Sequence, residues 1–176
     1  MFGYIAVNEL VSWLKTIAIA GIIAFIINTF ILANRTVPSG SMENTVMTRD
    51  RLFGNRLAYM FSEPQRGDII IFKYPGNVEI NYIKRIIGLP GETVEIVDGI
   101  TYINGEPLDE EDYIKDGVMT GNFGPYNVPE DSYFVMGDNR ENSNDSRYWQ
   151  ETNYVHEDLI VAKAMFKYYP SIKILK

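Results

Sequence analysis

From Thr16 to Ala33 the chain runs 18 residues without a charge, and only Thr16, Asn28 and Thr29 are polar. A run of that length just reaches the ~20 residues that cross a bilayer core, and Ser12-Trp13-Leu14 extends its start. It shows no polar face, which weighs against a core helix of a soluble domain. A removable secretory signal has a shorter apolar region, about 7–15 residues, and Ile31 is bulky where cleavage wants a small side chain. The segment 12–33 therefore reads as an uncleaved membrane span inside an N-terminal tail and anchor of 1–35. A single folded domain is expected over 36–176, since 176 residues leave room for one core.

Composition removes several functions. There is no cysteine, so disulfides, Cys-rich zinc sites and thiol catalysis are excluded. The net charge of -7 and pI near 4.8 argue against nucleic acid as a partner, because phosphate neutralisation needs Lys and Arg. His156 is the single histidine, so His-based metal sites and triads have one candidate. Lys15 precedes the span while Arg35, Arg49, Arg51 and Arg56 follow it. By the positive-inside rule alone the large domain would be cytoplasmic.

Beyond Arg35 the pattern is that of short strands. Apolar runs at Asp68–Phe72, Ile80–Ile87, Thr93–Val97, Ile100–Ile103, Tyr133–Met136 and Leu159–Tyr168 alternate with turn residues. Asp98-Gly99 between two runs predicts a tight hairpin. No long helical period follows the anchor, so the fold class is mainly antiparallel β. Residues 104–131, with the acidic run Asp109–Asp112, read as a solvated, loop-rich excursion.

Three segments suggest chemistry. In Val37-Pro38-Ser39-Gly40-Ser41-Met42, two hydroxyls flank a glycine that lets the backbone turn closely round a substrate. In Ile80–Ile87, Lys84 shares a strand face with Ile80, Tyr82 and Ile86, while Arg85 points away. Snorkelling of that ammonium to water is the ordinary outcome. Burial would instead lower its pKa by two or three units from ~10.4 and yield a neutral general base for a serine hydroxyl. The third segment, Met136 to Arg147, is dense in short polar side chains. It is not a calcium loop, because Arg140 and Ser143 occupy positions where that loop needs a ligand and a glycine.

Together these segments resemble the motif boxes of bacterial type I signal peptidases. The matching stretches are Pro38–Met42, Arg66–Ile70, Tyr82–Gly91 and Gly137–Arg147, in that order after an N-terminal span. The resemblance implies a β-sheet catalytic domain outside the bacterial cytoplasmic membrane, held by a single-pass anchor near the secretory translocon. It implies exported preproteins as substrates, cut after a small-x-small sequence such as Ala-x-Ala, with no cofactor or metal. Ser41 would be the nucleophile and Lys84 the base. Ser39 would join the Ser41 N–H in an oxyanion hole, and Ser143 would hydrogen-bond and orient Lys84. Asp145 would pair with Arg147, and Asp138 with Arg85. Val37, Pro38, Met42, Val46, Tyr82 and Ile83 would form the substrate pockets. Asn44 and Glu141 depart from the family's common Pro and Asp. The implied topology overrules the charge rule and places the β domain on the exported side.

Leu57–Phe61 is a candidate lipid contact, with core burial the alternative. Arg66-Gly67-Asp68 opens a predicted strand, which argues against adhesion. The glycosylation patterns at Asn34 and Asn144 are short enough to arise by chance. A triad of Ser41 with His156 is set aside, since His156 lies in a charged segment. Two other functions fit parts of this pattern: a self-cleaving Ser–Lys repressor, and a non-catalytic membrane-anchored β module binding exported proteins. The first needs a DNA-binding domain and an accessible Ala-Gly bond, but Ala20-Gly21 lies within the span.

Overall fold

The computed structural model describes residues 2–114 and 120–175. Helix α1 (Phe2–Ile26) continues into a π-helical turn, Ile27–Ile31. The stretch Glu9–Ile31 is long and apolar enough to span a bilayer, and none of it is buried against the rest of the chain. An apolar helix without protein neighbours is stable only in lipid, which fits the reading as an anchor. The span ends two residues earlier than the sequence suggested. Leu32 and Ala33 belong to strand β1, and Ala33 is fully buried in the core. The anchor therefore passes into the folded domain without a linker.

The strands are β1 (Leu32–Thr36), β2 (Arg51–Asn55), β3 (Ile69–Tyr74), β4 (Asn77–Gly88), β5 (Thr93–Val97) and β6 (Ile100–Ile103). They are followed by β7 (Glu106–Pro107), β8 (Phe123–Asn127), β9 (Ser132–Met136), β10 (Val155–His156), β11 (Ile160–Tyr169) and β12 (Lys173–Ile174). A large sheet runs β1-β2-β11-β3-β4-β9-β10, with β12 also on β11; a small one runs β7-β6-β5-β8. All pairs are antiparallel. The Asp98-Gly99 turn joins β5 to β6 with both residues at positive φ, and Asn104-Gly105 does the same between β6 and β7. That twist matches the strands' own, which makes both hairpins local consequences of sequence.

The excursion over 104–131 is more ordered than its composition suggested. Phe123–Asn127 pairs with β5, and Glu110 forms an ion pair with the buried guanidinium of Arg140. Residues 115–119 of that excursion lie outside the described residues.

Side-chain alternation along β4 divides the core. Ile83 packs with Val37, Met42, Val46, Leu52, Ile69 and Ile71. Ile86 joins Ile70, Phe72, Val135 and Trp149, with Tyr82 against them. Ile87 enters a third cluster, with Val94, Ile96 and Phe134, that binds the small sheet to the large one. Each fully buried Ile or Phe contributes roughly 1.5–3 kcal/mol, so this central strand is held rigidly from both faces. Rigidity at β4 is what fixes the residue between those clusters, Lys84.

Candidate active site

The segment after β1 is locked before it reaches Ser41. Val37 N–H donates to Asp50 O, and Arg49 N–H donates to Val37 O, each at 2.9 Å. Gly40–Met42 then forms a single helical turn, closed by Glu43 N–H donating to Gly40 O at 3.0 Å. Met42 is buried in the core and anchors the turn, so Ser41 projects from a fixed backbone.

Across from it, Lys84 is 3% exposed on β4, and its Nζ lies 2.5 Å from Ser41 Oγ. Burial lowers the Lys84 ammonium from 10.5 to about 8; the Asp145 carboxylate opposes that shift and the Arg147 guanidinium adds to it. The Tyr82 ring lies 5.5 Å from Nζ. Ser39 Oγ is 3.4 Å from Ser41 Oγ, so the second hydroxyl of the turn also reaches the cleft.

The loop after β9 closes the site. Gly137 passes so near it that a Cβ there would stand 2.3 Å from both Ser41 O and Ser143 Oγ, and only glycine fits. Arg147 binds Asp145 through two bonds of 2.8 Å, and Asp145 also accepts the Gly137 N–H at 3.0 Å. Arg85 binds Asp138 through two bonds of 2.8 Å and donates to Gly67 O at 2.7 Å. Both expected ion pairs are therefore present and almost fully buried.

Two expectations are not met. Ser143 is buried, but its Oγ has no hydrogen-bond partner among the described residues, so it does not hold Lys84 here. The Lys84 amine is directed to Ser41 instead. Val46 is wholly buried in the core cluster and is not among the residues lining the cleft, because the turn at Met42 carries it inward. Val37, Pro38, Met42, Tyr82 and Ile83 do line a cleft of about 510 Å³ containing Ser39, Ser41 and Lys84. Its wall also takes Ile80, Asn81, Asn142 and Asn144, none of which sequence reasoning assigned.

Other supporting residues were missed. Thr45 donates its hydroxyl to Asp138, and Tyr113 lays its ring 4.1 Å from the Arg85 guanidinium. These contacts join positions far apart in the chain, and no local pattern announces them. His156 is exposed and accepts a bond from Asp158 N–H at 3.3 Å, outside the cleft. Among the described residues no cluster of His, Asp and Glu could hold a metal ion.

The cleft thus contains two serine hydroxyls and a buried amine whose pKa is lowered to about 8. That set suits acyl transfer without an imidazole. Comparison with known proteins points the same way. Residues 10–169 match the family described as signal peptidase, peptidase S26. The chain is 42% identical over 171 residues to signal peptidase I of Leptolyngbya laminosa, covering 93% of this chain and 81% of that protein. It is 42% identical over 150 residues to signal peptidase I S of Bacillus subtilis strain 168, covering 80% and 79%. A crystal structure of a signal peptidase I from Enterococcus faecalis V583 is 40% identical, with a TM-score of 0.50. It spans 58% of this chain and 97% of that one.

Proposed function

The chain belongs to the peptidase S26 signal peptidases, which are serine endopeptidases, and on that premise we propose that it removes signal peptides from exported preproteins using Ser41 and Lys84. The observation that carries the residue assignment is the 2.5 Å approach of a buried lysine amine to the Ser41 hydroxyl. In its neutral form Lys84 accepts the hydroxyl proton as Oγ attacks the scissile carbonyl, then returns it to the leaving amine. Ser39 Oγ and the Ser41 N–H face the developing oxyanion. Asp145 with Arg147, and Asp138 with Arg85, brace the loop behind the dyad. Val37, Pro38, Met42, Tyr82 and Ile83 shape pockets for small side chains, and the cut follows an Ala-x-Ala sequence.

The helix spans the cytoplasmic membrane once, and the β domain stands on the exported side, close to the translocon. Strand register supports a site near the bilayer. The row through Leu32, Asn55, Lys163 and Ile70 also contains Lys84, so the base stands level with the first residue after the span. On the helix side of that row lie exposed Met60, Phe61 and Val78, an apolar margin suited to contact with lipid. A short tether raises the effective concentration of the site for membrane-held substrates.

The test is cleavage of an Ala-x-Ala preprotein by full-length protein in detergent, with Ser41→Ala and Lys84→Met alongside. Cleavage after the small residue that either change abolishes supports the dyad. Binding without cleavage by the unaltered chain would make it a non-catalytic module.

A further inference from the structure

Asn139 opens the short turn Arg140–Asn142, yet its side chain caps none of that turn's N–H groups. Its amide crosses to the nucleophile turn instead, where Nδ2–H donates to the Gly40 carbonyl at 3.0 Å. Its backbone N–H donates to the next carbonyl, that of Ser41, at 3.1 Å. The second bond holds the segment in place. The first does something more specific.

Gly40 C=O and Ser41 N–H belong to one peptide group. The group is planar and trans, so fixing the direction of its carbonyl fixes the opposite direction of its N–H. That N–H is the backbone donor of the proposed oxyanion hole. Glycine at position 40 gives rotation of this peptide little steric resistance, so an outside restraint is needed. Glu43 N–H also reaches the Gly40 carbonyl, but it belongs to the same turn and moves with it. Asn139 comes from a separate, well-braced loop.

We propose that Asn139 is the positioning residue of the oxyanion hole, aiming the Ser41 N–H at the substrate carbonyl through the far end of its own peptide group. This rests on the reading of Ser41 as nucleophile and of its N–H as donor. A bond to the carbonyl end also polarises the peptide, which strengthens its N–H as a donor.

The test uses full-length protein in detergent, with Asn139→Ala, Asn139→Asp and Ser41→Ala. Removing an oxyanion donor outright lowers kcat roughly 10²–10³-fold. Asn139→Ala keeps the donor but frees its direction, so kcat should fall about 10–100-fold with KM changed less than about threefold. Asn139→Asp sets a carboxylate oxygen against the Gly40 carbonyl and should lose at least as much. A peptide aldehyde ending in Ala-x-Ala supplies a readout that a merely structural role would not move. On binding it, the Ser41 Oγ–carbon bond forms, the carbonyl π bond breaks and the hydroxyl proton passes to Lys84, leaving an oxyanion in the hole.

Asn139→Ala should weaken aldehyde binding by about the same factor as kcat. It should leave binding of the matching uncleaved peptide unchanged in a Ser41→Ala background. Unchanged kcat and aldehyde affinity in both Asn139 variants, with Ser41→Ala inactive, overturns this role alone. Equal losses for aldehyde and uncleaved peptide mean a structural role and also overturn it. Activity surviving in Ser41→Ala overturns the underlying assignment.

Discussion

Lys84 Nζ meets Ser41 Oγ at 2.5 Å, and the two residues reach that distance from segments 43 positions apart. One lies on the buried half of β4, the other on a turn pinned by Met42 and the β1 exit. Neither can withdraw without disturbing the core. The pair is therefore preorganised, and its behaviour is set by the protonation of the amine.

That sets the pH profile. A lysine lowered to about 8 is almost wholly charged at pH 6, where roughly a hundredth of the protein has the neutral base. Cleavage under kcat/KM conditions should rise about tenfold per pH unit below that point and level off above it. Steady-state rates on an Ala-x-Ala preprotein from pH 6 to 10 check this. A midpoint near the ordinary lysine value would mean that burial does not tune the base.

The same shift predicts a pH dependence of stability. Below about pH 8 the folded chain carries a desolvated ammonium, whereas in the unfolded chain the lysine titrates near 10.5. Between those values the unfolded state binds more protons, so stability rises with pH across that window. Lys84→Met removes the buried charge at nearly constant volume. It should stabilise the inactive protein at pH 6 by on the order of 3 kcal/mol, and the gain should fade between pH 8 and 10.5. Thermal unfolding of both proteins at pH 6, 8 and 10 measures it. A gain that did not vary with pH would point to packing.

Asp138 gives the contrasting case. Its carboxylate receives two bonds from Arg85 and the hydroxyl of Thr45, all buried. Asp138→Ala removes the carboxylate that takes two bonds from the buried guanidinium, and breaking a buried pair of this kind costs roughly 3–5 kcal/mol. Denaturant unfolding should show the midpoint falling with the slope unchanged. A loss below about 1 kcal/mol would mean that the pair adds little to the other contacts of Arg85, Gly67 O and the Tyr113 ring among them.

Much of this fold is legible in the sequence, and the reasons are local. The strands containing Phe72, Lys84, Ile96, Ile103 and Val135 follow continuous or alternating apolar runs, and Asp98-Gly99 is a turn by backbone chemistry. β2 carries no continuous apolar run, because glycine occupies the buried position 54, where a Cβ would come 2.9 Å from Ile71 Cδ1. β1 was absorbed into the span, since Ala33 is its one core residue and Asn34, Arg35 and Thr36 are polar. β8 was hidden by Gly124-Pro125. At the site, the closeness of Ser41 to Lys84 and both ion pairs match what the motif boxes suggest. The Glu110–Arg140, Tyr113–Arg85 and Thr45–Asp138 contacts depend on tertiary folding, which composition cannot reveal. The expected Ser143–Lys84 bond is not formed: the Lys84 amine reaches Ser41, and the buried Ser143 hydroxyl has no partner among the described residues.

The lipid contact can be tested at one residue. Phe61 is 89% exposed just beyond β2, at the end of the sheet where the helix enters, and Met60 beside it is also exposed. Tyr59, by contrast, bonds Asp68 and packs on the core, so only the tip of the Leu57–Phe61 segment is available to a membrane. Burying a phenylalanine in the acyl boundary contributes roughly 1.5–3 kcal/mol, enough to hold the domain against the surface to which it is tethered. Phe61→Trp, with Trp13→Phe so that the span adds no signal, should give blue-shifted emission in proteoliposomes that brominated lipids quench. Trp149 is buried in the core and provides the unquenched reference. Red-shifted emission at position 61 that brominated lipids leave unchanged would remove lipid from the account of this surface, while leaving the dyad and its substrates untouched.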